Sequence, residues 1–269
     1  MALAGWILDL DGVVYRGSEA LPGAVDFFER ARRRGDAVVV VSNNSRPTVD
    51  DYVRRLARLG IRIEPGQVIS SATAAADYLV RQGIRGPVMV IGEEGLYRAL
   101  EEAGLATVPA GPDTAHADVT AVVVGLDGRF DYAKLDAACQ AIRRGARFVG
   151  TNPDVTLPAE GGRLQPGCGS LLAAIAACSG VQPVVVGKPH RPIMDLAIQR
   201  LAAHGVAATD PIVVVGDRLD TDVAAARALG LSSALVLTGV SSREDVDRAD
   251  VKPDWVFEDL AHLASVLMS

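Results

Sequence analysis

The stretch that decides the fold is Trp6-Ile7-Leu8-Asp9-Leu10-Asp11-Gly12, near the start of a chain of 269 residues. Apart from Asp9, the segment Trp6–Leu10 is apolar, which is typical of a strand that is buried on both faces, as the strands of parallel sheets are. Two acids, Asp9 and Asp11, stand at the end of this run, and Gly12 permits a turn directly after them. The stretch therefore predicts a buried strand whose carboxyl end carries two carboxylates.

Short apolar runs alternate with helical patterns along the whole chain, which predicts an α/β protein with a parallel sheet. Further strands are predicted at Ala37–Val41, Pro183–Val186, Ile212–Val215 and Ala234–Leu237. Helices are predicted at Ala24–Arg34, Val49–Leu59, Pro192–His204 and Thr221–Leu229. We expect a doubly wound, Rossmann-like core.

The segment from Ile84 to Val181 is too long for one crossover between neighbouring strands, which typically needs a single helix. It has strand patterns of its own at Val88–Ile91, Val119–Val124 and Arg147–Val149. It also has helical patterns at Leu96–Ala103, Tyr132–Arg143 and Leu171–Cys178. We therefore predict an inserted α/β cap domain at 84–181 within a discontinuous core at 1–83 and 182–269, with hinge passages near Gly83–Pro87 and Gly180–Pro183.

The composition excludes several classes of protein. A net charge of −6 and a pI near 5.3 argue against binding of nucleic acid, which needs a basic face. No apolar run approaches the roughly 18 residues of a membrane span, and no signal peptide is evident. Three cysteines, Cys139, Cys168 and Cys178, show no metal-type pairing and are interpreted as reduced thiols. We therefore expect a cytoplasmic protein without a membrane partner, and the sequence leaves a homodimer open.

Polar and charged side chains follow the predicted strands at the points where the strands end. They are Asp9 and Asp11 after the first strand, Ser42, Asn43 and Asn44 after the second, Lys188 after the third, and Asp217 and Asp222 after the fourth. Ligands of open parallel sheets bind at the carboxyl ends of the strands. The sequence therefore predicts that carboxylates, a hydroxyl and one lysine meet at one edge of the sheet.

Each of these groups also has a purely structural interpretation. Asp-x-Asp-Gly can form a surface turn, Ser-Asn-Asn-Ser can cap a helix, and Lys188 can be a solvated lysine in a turn. Several acids at one edge favour a ligand-binding or metal-binding site instead, because clustered carboxylates repel each other unless a cation lies between them.

The cation that this set of hard oxygen ligands favours is Mg²⁺, which commonly binds one or two carboxylates together with phosphate and water. Neither acidic segment continues with the spacing of an EF-hand calcium loop. The four histidines of the chain show no spacing of a zinc site. The predicted cofactor is therefore Mg²⁺.

These segments together resemble the four motifs of the haloacid dehalogenase superfamily. The segments are Asp9-Leu10-Asp11-Gly12-Val13, Ser42-Asn43-Asn44, Gly187-Lys188-Pro189 and Gly216-Asp217-Arg218-Leu219-Asp220-Thr221-Asp222. The long insertion resembles the large α/β cap of the NagD-like, or p-nitrophenyl-phosphatase-like, branch. Segments 124–127, 151–154 and 166–170 look like that branch as well. Ser42 stands where many relatives carry threonine, which should keep the role of the hydroxyl.

The resemblance implies a role for each residue. Asp9 would be the nucleophile that forms an aspartyl-phosphate, and Asp11 the general acid and base. The Asp9 carboxylate, the Asp11 backbone carbonyl and Asp217 would hold Mg²⁺, with Asp222 supporting them. The groups that hold the phosphoryl group or substrate would be Ser42, Asn43, Asn44 and Lys188.

The resemblance also implies that the loop around 154–158 selects the substrate. This loop offers Leu157 and no aromatic ring, which favours small polyol or sugar phosphates such as glycerol phosphate, or phosphoglycolate. Asp127 and Asp154 could face the substrate or cap turns, and both interpretations stay open.

Three functions remain open at this point. A magnesium-dependent phosphomonoester hydrolase is favoured by the occupied motif positions. A phosphomutase would use the same intermediate, but the mutases of this superfamily carry a smaller, helical cap. A binding module with a dead site is disfavoured because every catalytic position is occupied.

Overall fold

The computed structural model describes residues 4–158 and 163–269, and these residues form two compact units. The core unit comprises the described residues within Met1–Ser42, Asp50–Ile69 and Lys188–Ser269. The inserted unit comprises those within Asn43–Val49 and Ser70–Gly187. The inserted unit thus includes a helix before position 84, and the division at 84 and 181 stays a prediction.

The helices and strands follow the alternation that the sequence predicts. The strands are β1 (Gly5–Asp9), β2 (Tyr15–Arg16), β3 (Glu19–Ala20), β4 (Ala37–Ser42), β5 (Val68–Ser70), β6 (Val88–Ile91), β7 (Thr107–Pro109), β8 (Ala121–Val124), β9 (Arg147–Gly150), β10 (Thr156–Pro158), β11 (Leu164–Pro166), β12 (Val184–Val185), β13 (Ile212–Gly216), β14 (Ser232–Val236) and β15 (Trp255–Phe257). The helices are α1 (Ala24–Arg34), α2 (Val49–Arg58), α3 (Ser71–Arg81), α4 (Glu94–Glu102), α5 (Tyr132–Arg143), α6 (Cys168–Ser179), α7 (Arg191–Ala203), α8 (Ala224–Ala228), α9 (Arg243–Arg248) and α10 (Leu260–Leu267).

In the core unit, the main sheet of the described residues has the order β15-β14-β13-β1-β4-β5. Strand β1 pairs in parallel with β4 on one side and with β13 on the other. The chain extends the sheet in one direction through β4 and later in the other through β13. The sheet therefore has a topological switch point beside β1, which is where ligands of doubly wound sheets bind.

The core of this unit is aliphatic, as a chain with only 4% aromatic residues requires. Strand β4 is buried along its whole length, and Ile7 and Leu8 of β1 are buried between its neighbours. Helices α1 and α7 pack against β4, and α1 also packs against α10. The continuous burial of β1 and β4 explains why their sequences are unbroken apolar runs.

The inserted unit has a sheet of its own, with the order β12-β9-β8-β6-β7 in the described residues and parallel pairing throughout. Helices α5 and α6 pack on each other and on β8. Their shared core includes Val122, Phe148 and Ile175. Strands β10 and β11 form a separate antiparallel pair.

The prediction that Pro183–Val186 is a strand of the core sheet is wrong. The structure has only the two-residue strand β12 there, and it pairs with β9 at the edge of the inserted unit's sheet. The place beside β4 in the core sheet belongs to β5, which the sequence analysis did not predict. A short β-branched run predicts a strand but does not predict which sheet the strand joins. Here α6, the helix before β12, brings β12 next to β9.

Among the described residues, no helix is both long and apolar enough to cross a bilayer.

A buried carboxylate ties the start of the core sheet together. Asp36 has a side chain that is 2% exposed, and it accepts hydrogen bonds from Trp6 Nε1 at 3.2 Å and from the backbone N–H of Ala4 at 3.3 Å. Arg34 Nε donates to the same carboxylate at 3.0 Å. Asp36 therefore joins the residues before β4 to β1 and to the end of α1.

We expect Asp36→Ala to lower the free energy of unfolding by about 3–5 kcal/mol, because it leaves buried donors without an acceptor and removes the partner of Arg34. The measurement is urea denaturation. Asp26→Ala is the matched control, since Asp26 pairs with Arg30 at the surface and should contribute about 0–1 kcal/mol. Equal losses in the two variants would show that Asp36 does not anchor the sheet.

Candidate active site

The candidate site lies at the carboxyl edge of the core sheet, beside the switch point. Asp9 is the last residue of β1, and Asp217 directly follows β13. Asp222 lies in a single π-helical turn, Leu219–Val223, that precedes α8. Backbone packs closely around these acids, because a Cβ atom at Gly216 would lie 2.1 Å from the Asp222 Cβ. The glycine therefore allows the turn to bring Asp222 against the end of β13.

Lys188 is the centre of the site. Its ammonium group donates hydrogen bonds to Asp9, to Asp222 at 2.7 Å, and to the Val41 carbonyl at 3.4 Å. The side chain is almost completely buried. Burial alone would lower the pKa of Lys188, but the charges of Asp222 and Asp9 outweigh burial and raise that pKa. Lys188 is therefore a charged, buried lysine that joins two carboxylates.

Three carboxylates crowd together around this lysine. One oxygen from each of Asp9, Asp217 and Asp222 lies within 4.8 Å of the others. Burial and the negative charge of Asp222 raise the pKa of Asp217 to about 6, although the Val240 N–H, 2.7 Å from Asp217 Oδ2, opposes this shift. Burial also raises the pKa of Asp9 strongly. The positive charge of Lys188 opposes this shift, and the negative charges of Asp222 and Asp217 add to it. The cluster therefore places three acids against one lysine, and a bound cation would relieve the repulsion between them.

The donor set of this cluster fits a hard divalent cation. All three side chains offer carboxylate oxygens, and no histidine or cysteine of the described residues belongs to the group. Oxygen ligands of this kind favour Mg²⁺. Asp9 and Asp222 both accept from Lys188, whereas Asp217 accepts from the Val240 N–H.

Asp11 lies beside the cluster and its carboxylate is not among the three that converge. Its backbone forms a bridge to Tyr15, and its side chain is exposed. Protein atoms around the carboxyl group still raise the pKa of Asp11 by desolvation, while the positive charges of Arg55 and Lys188 act in the opposite direction. The two acids thus have different surroundings: Asp9 is bonded to the buried Lys188, and Asp11 is exposed.

Ser42 ends β4 next to the site, since Val41 pairs with Asp9 in the sheet register. Its Oγ atom accepts a hydrogen bond from the Tyr52 hydroxyl at 3.2 Å, and both residues are buried. The hydroxyl that the sequence predicts at the second strand is therefore held in place from α2.

The other predicted substrate residues belong to the inserted unit. Asn43 Nδ2 donates to Asp154 at 3.3 Å, and Asn44 Oδ1 accepts from the Arg46 N–H at 3.0 Å. Leu157 is half-buried in β10. Their roles toward a substrate stay predictions.

Asp127 is buried in the inserted unit, and it accepts from the Lys134 ammonium group at 2.7 Å and from the Arg129 N–H at 2.8 Å. Asp127 therefore caps the turn that follows it, and its role toward a substrate stays open. Asp154 accepts from Asn43, so that its side chain fixes the segment after β4 within the inserted unit.

Sequence reasoning missed three residues around Asp11. Tyr15 and Tyr52 are fully buried near it, and Arg55 of α2 lies with its guanidinium carbon 3.9 Å from the centre of the Tyr15 ring. The signal in the sequence is weak, because each of the three fits an ordinary amphipathic pattern. The spacing of Tyr52 and Arg55 by three residues on one helix is the one feature that could have placed them on a common face.

Comparisons with known proteins agree with this geometry. Residues 6–106 match the family described as haloacid dehalogenase-like hydrolase, and residues 185–263 match a second family described as HAD-hydrolase-like. The chain is 36% identical over 255 residues to an acid sugar phosphatase of Staphylococcus epidermidis, which covers 95% of this chain and 94% of that relative.

Two solved structures are similar over almost the whole chain. A p-nitrophenyl phosphatase from Archaeoglobus fulgidus is 35% identical with a TM-score of 0.88, covering 98% of this chain and 99% of that one. A glycerol phosphate phosphatase from Mycobacterium tuberculosis, solved in complex with magnesium, is 35% identical with a TM-score of 0.85, covering 96% of this chain and 75% of that one.

The parallel core sheet and the cluster of acids on a buried lysine are those of a hydrolase with a doubly wound α/β core. The chain belongs to the haloacid dehalogenase-like hydrolase family. The resemblance that the sequence motifs indicate, including that to the p-nitrophenyl-phosphatase-like branch, is confirmed.

We expect Lys188→Met to lower the free energy of unfolding by about 3–5 kcal/mol in EDTA at neutral pH, because it leaves Asp9 and Asp222 buried without a counter-charge. The measurement is denaturant unfolding. Lys252→Met is the matched control, since Lys252 is exposed and its ammonium group donates to the Asp247 carbonyl. If the Lys188 variant were as stable as the control, Lys188 would not stabilise the buried carboxylates of Asp9 and Asp222.

Proposed function

We propose that this chain is a magnesium-dependent phosphatase that hydrolyses small phosphate monoesters through an aspartyl-phosphate on Asp9. The observation that carries the proposal is the cluster of Asp9, Asp217 and Asp222 at the switch point of the sheet, in which Asp9 and Asp222 pair with Lys188. A buried lysine can neutralise phosphate oxygens, and the acids can hold a cation beside it. The names of the three similar proteins reported above, each a phosphatase, support the same class of reaction.

Asp9 is the nucleophile in this proposal. A carboxylate oxygen of Asp9 supplies the electron pair for the new bond to phosphorus, and the bond from phosphorus to the ester oxygen breaks. Water then attacks the phosphorus of the aspartyl-phosphate, which releases inorganic phosphate and restores the carboxylate. Lys188, already bonded to Asp9, would orient the attacking oxygen and bind the transferring phosphoryl group.

Asp11 is the general acid and base. In the first step its carboxyl proton moves to the departing ester oxygen, which leaves as an alcohol. In the second step the Asp11 carboxylate takes a proton from the attacking water. Its exposed position beside the cluster supports this role, because the group that protonates a leaving group must face the substrate.

Mg²⁺ would be held by the carboxylates of Asp9 and Asp217 and by the backbone carbonyl of Asp11, with Asp222 supporting them. When bound, the ion supplies positive charge that stabilises the charge developing on the phosphoryl oxygens. Ser42 would contact the phosphoryl group from the end of β4. By family resemblance, Asn43 and Asn44 would contact the substrate as well.

The substrates that we propose are small sugar, polyol or glycolate phosphates. The names of an acid sugar phosphatase and a glycerol phosphate phosphatase among the similar proteins support this choice. The inserted domain, at 84–181, would select the leaving group, with Leu157 contributing an apolar surface instead of an aromatic ring. Phosphate release from a panel of metabolites, with p-nitrophenyl phosphate as an artificial substrate, tests the choice.

We further propose a cytoplasmic location and a homodimer. Unpaired Cys139, Cys168 and Cys178 support a reducing compartment. The strongly exposed apolar side chains of Val155 and Leu164, next to and within the β10–β11 pair, support contact with a second copy. Analytical ultracentrifugation measures the oligomeric state directly.

We expect Asp9→Asn to lower kcat for p-nitrophenyl phosphate by about four orders of magnitude or more, because it removes the nucleophile. Asp220→Asn is the matched control, since Asp220 is exposed and pairs with Arg218. Steady-state kinetics with free phosphate as the readout measures both. Substantial turnover by the Asp9 variant would remove Asp9 from the role of nucleophile.

We expect Asp217→Asn to raise the magnesium concentration for half-maximal activity by at least about tenfold, because groups that merely support metal ligands already change affinity by 10- to 100-fold. The measurement is a magnesium titration of activity after treatment with EDTA. Asp220→Asn should leave the titration unchanged. Activity that does not respond to EDTA, or an unaltered titration in the Asp217 variant, would contradict the metal site.

A further inference from the structure

The segment 238–241, which follows β14 and is called the β14 loop below, encloses the carboxylate of Asp217. The Val240 N–H donates to Asp217 Oδ2 at 2.7 Å, and the Ser241 N–H donates to the Asp217 carbonyl at 3.0 Å. Gly239 packs so closely on the same carboxylate that a Cβ atom there would overlap it. The β14 loop therefore holds both the side chain and the backbone of Asp217.

The turn after β1 lies against the same carboxylate. A Cβ atom at Gly12 would stand 2.6 Å from Asp217 Oδ2 and 3.2 Å from the Cα atom of Gly239, so this close approach requires a glycine. Gly12 directly follows Asp11, whose backbone carbonyl is one of the proposed ligands of Mg²⁺. Two of the proposed metal ligands, Asp11 and Asp217, therefore lie on segments that are in contact at Gly12.

Thr238 is the residue that bonds these two segments to each other. Its hydroxyl group donates to the Gly12 carbonyl at 2.6 Å. Its own carbonyl accepts a hydrogen bond from the guanidinium group of Arg16 in β2. Thr238 therefore joins the β14 loop to the segment after β1 at two points, and one of them is the peptide that follows Asp11.

We propose that Thr238 is a positioning residue for the proposed magnesium site. The hydrogen bond from its hydroxyl group to the Gly12 carbonyl keeps the Asp11 carbonyl and the Asp217 carboxylate at the separation that one ion requires. Thr238 itself contacts neither the ion nor the reacting atoms. The inference rests on the proposed function, since it takes Asp11 and Asp217 as ligands of Mg²⁺.

The coordination chemistry of Mg²⁺ explains why such a bond matters. Mg²⁺ requires nearly ideal octahedral geometry with distances of about 2.0–2.1 Å to its ligands, so that two ligands on different segments must be held precisely. Strand β1 ends at Asp9, and the Asp11 carbonyl therefore lies beyond the paired part of the strand. The bond from Thr238 supplies a fixed link between this turn and the segment that holds Asp217.

The test measures binding of Mg²⁺ through the stability of the protein, without turnover. An ion that binds only the folded state raises the Tm as its concentration increases, so that titration of metal-free protein with MgCl₂ at constant ionic strength gives a Kd. We expect Thr238→Val to raise this Kd by about tenfold or more, because groups that orient metal ligands typically change affinity by 10- to 100-fold. We expect Thr238→Ser to bind Mg²⁺ as the wild type does, since serine keeps the hydroxyl donor.

Thr114→Val is the matched control. The Thr114 hydroxyl group also donates to a backbone carbonyl, that of Pro109 at 2.7 Å, but it belongs to the inserted unit. Its loss should leave the Kd for Mg²⁺ unchanged. The Tm of each variant in EDTA is its own baseline, which separates a general loss of stability from a loss of binding. Thr238→Ala also removes the hydroxyl group and replaces Thr238→Val in the comparison if the valine variant does not fold.

The outcomes are distinct. Weaker binding in Thr238→Val together with wild-type binding in Thr238→Ser supports the positioning role of the hydroxyl group. Wild-type binding in Thr238→Val, or equal weakening in the valine and serine variants, overturns it while leaving the proposed metal site standing. If Mg²⁺ does not raise the Tm of the wild type, or raises that of Asp217→Asn equally, the metal site of the proposed function is itself contradicted.

Discussion

The buried bond of Lys188 to Asp9 and Asp222 is the interaction on which the rest of the structure depends. It joins the carboxyl end of β1 to the turn before α8, and its lysine also donates to the Val41 carbonyl at the end of β4. Three parts of the core unit therefore meet on one ammonium group. Because Asp217 adds a further carboxylate, the site holds three acids against one lysine, which favours binding of a cation. The contacts that organise this edge of the sheet are thus also those of the proposed metal site.

Close backbone approach is the second condition for this cluster. Asp217 stands against Gly239, where a Cβ atom would lie 1.8 Å from the carboxylate, and Asp222 stands against Gly216. A side chain at position 239 would overlap Asp217, and one at position 216 would overlap Asp222. Small residues at these two places therefore matter for the site as much as the acids do, although they contribute no charge.

The motifs on the first, second and fourth strands could be predicted from the sequence because each is local: an apolar run followed by polar residues at its carboxyl end. The sheet to which Pro183–Val186 belongs could not, since its two paired residues carry no information about their partner strand. Strand β5 was missed for the same reason, as it has only three residues. Asp36 and the pair of Tyr15 and Arg55 escaped prediction because their partners are distant in sequence and their individual residue types are ordinary.

The most informative contrast in the site is between Asp9 and Asp11, which are two residues apart on one strand end. Asp9 is fixed by Lys188 and surrounded by other acids, whereas Asp11 is exposed and makes no side-chain bond with the described residues. A nucleophile gains from being held still, because its attack requires a defined direction. An acid that also serves as a base must exchange its proton with the leaving group and then with water, which a locked ion pair would oppose. In the proposed mechanism, different surroundings for these neighbouring carboxylates would divide the two tasks. Asp9 is the last residue of β1, whereas Asp11 lies in the turn that follows, in which the Val13 and Val14 N–H groups donate to the Leu10 carbonyl.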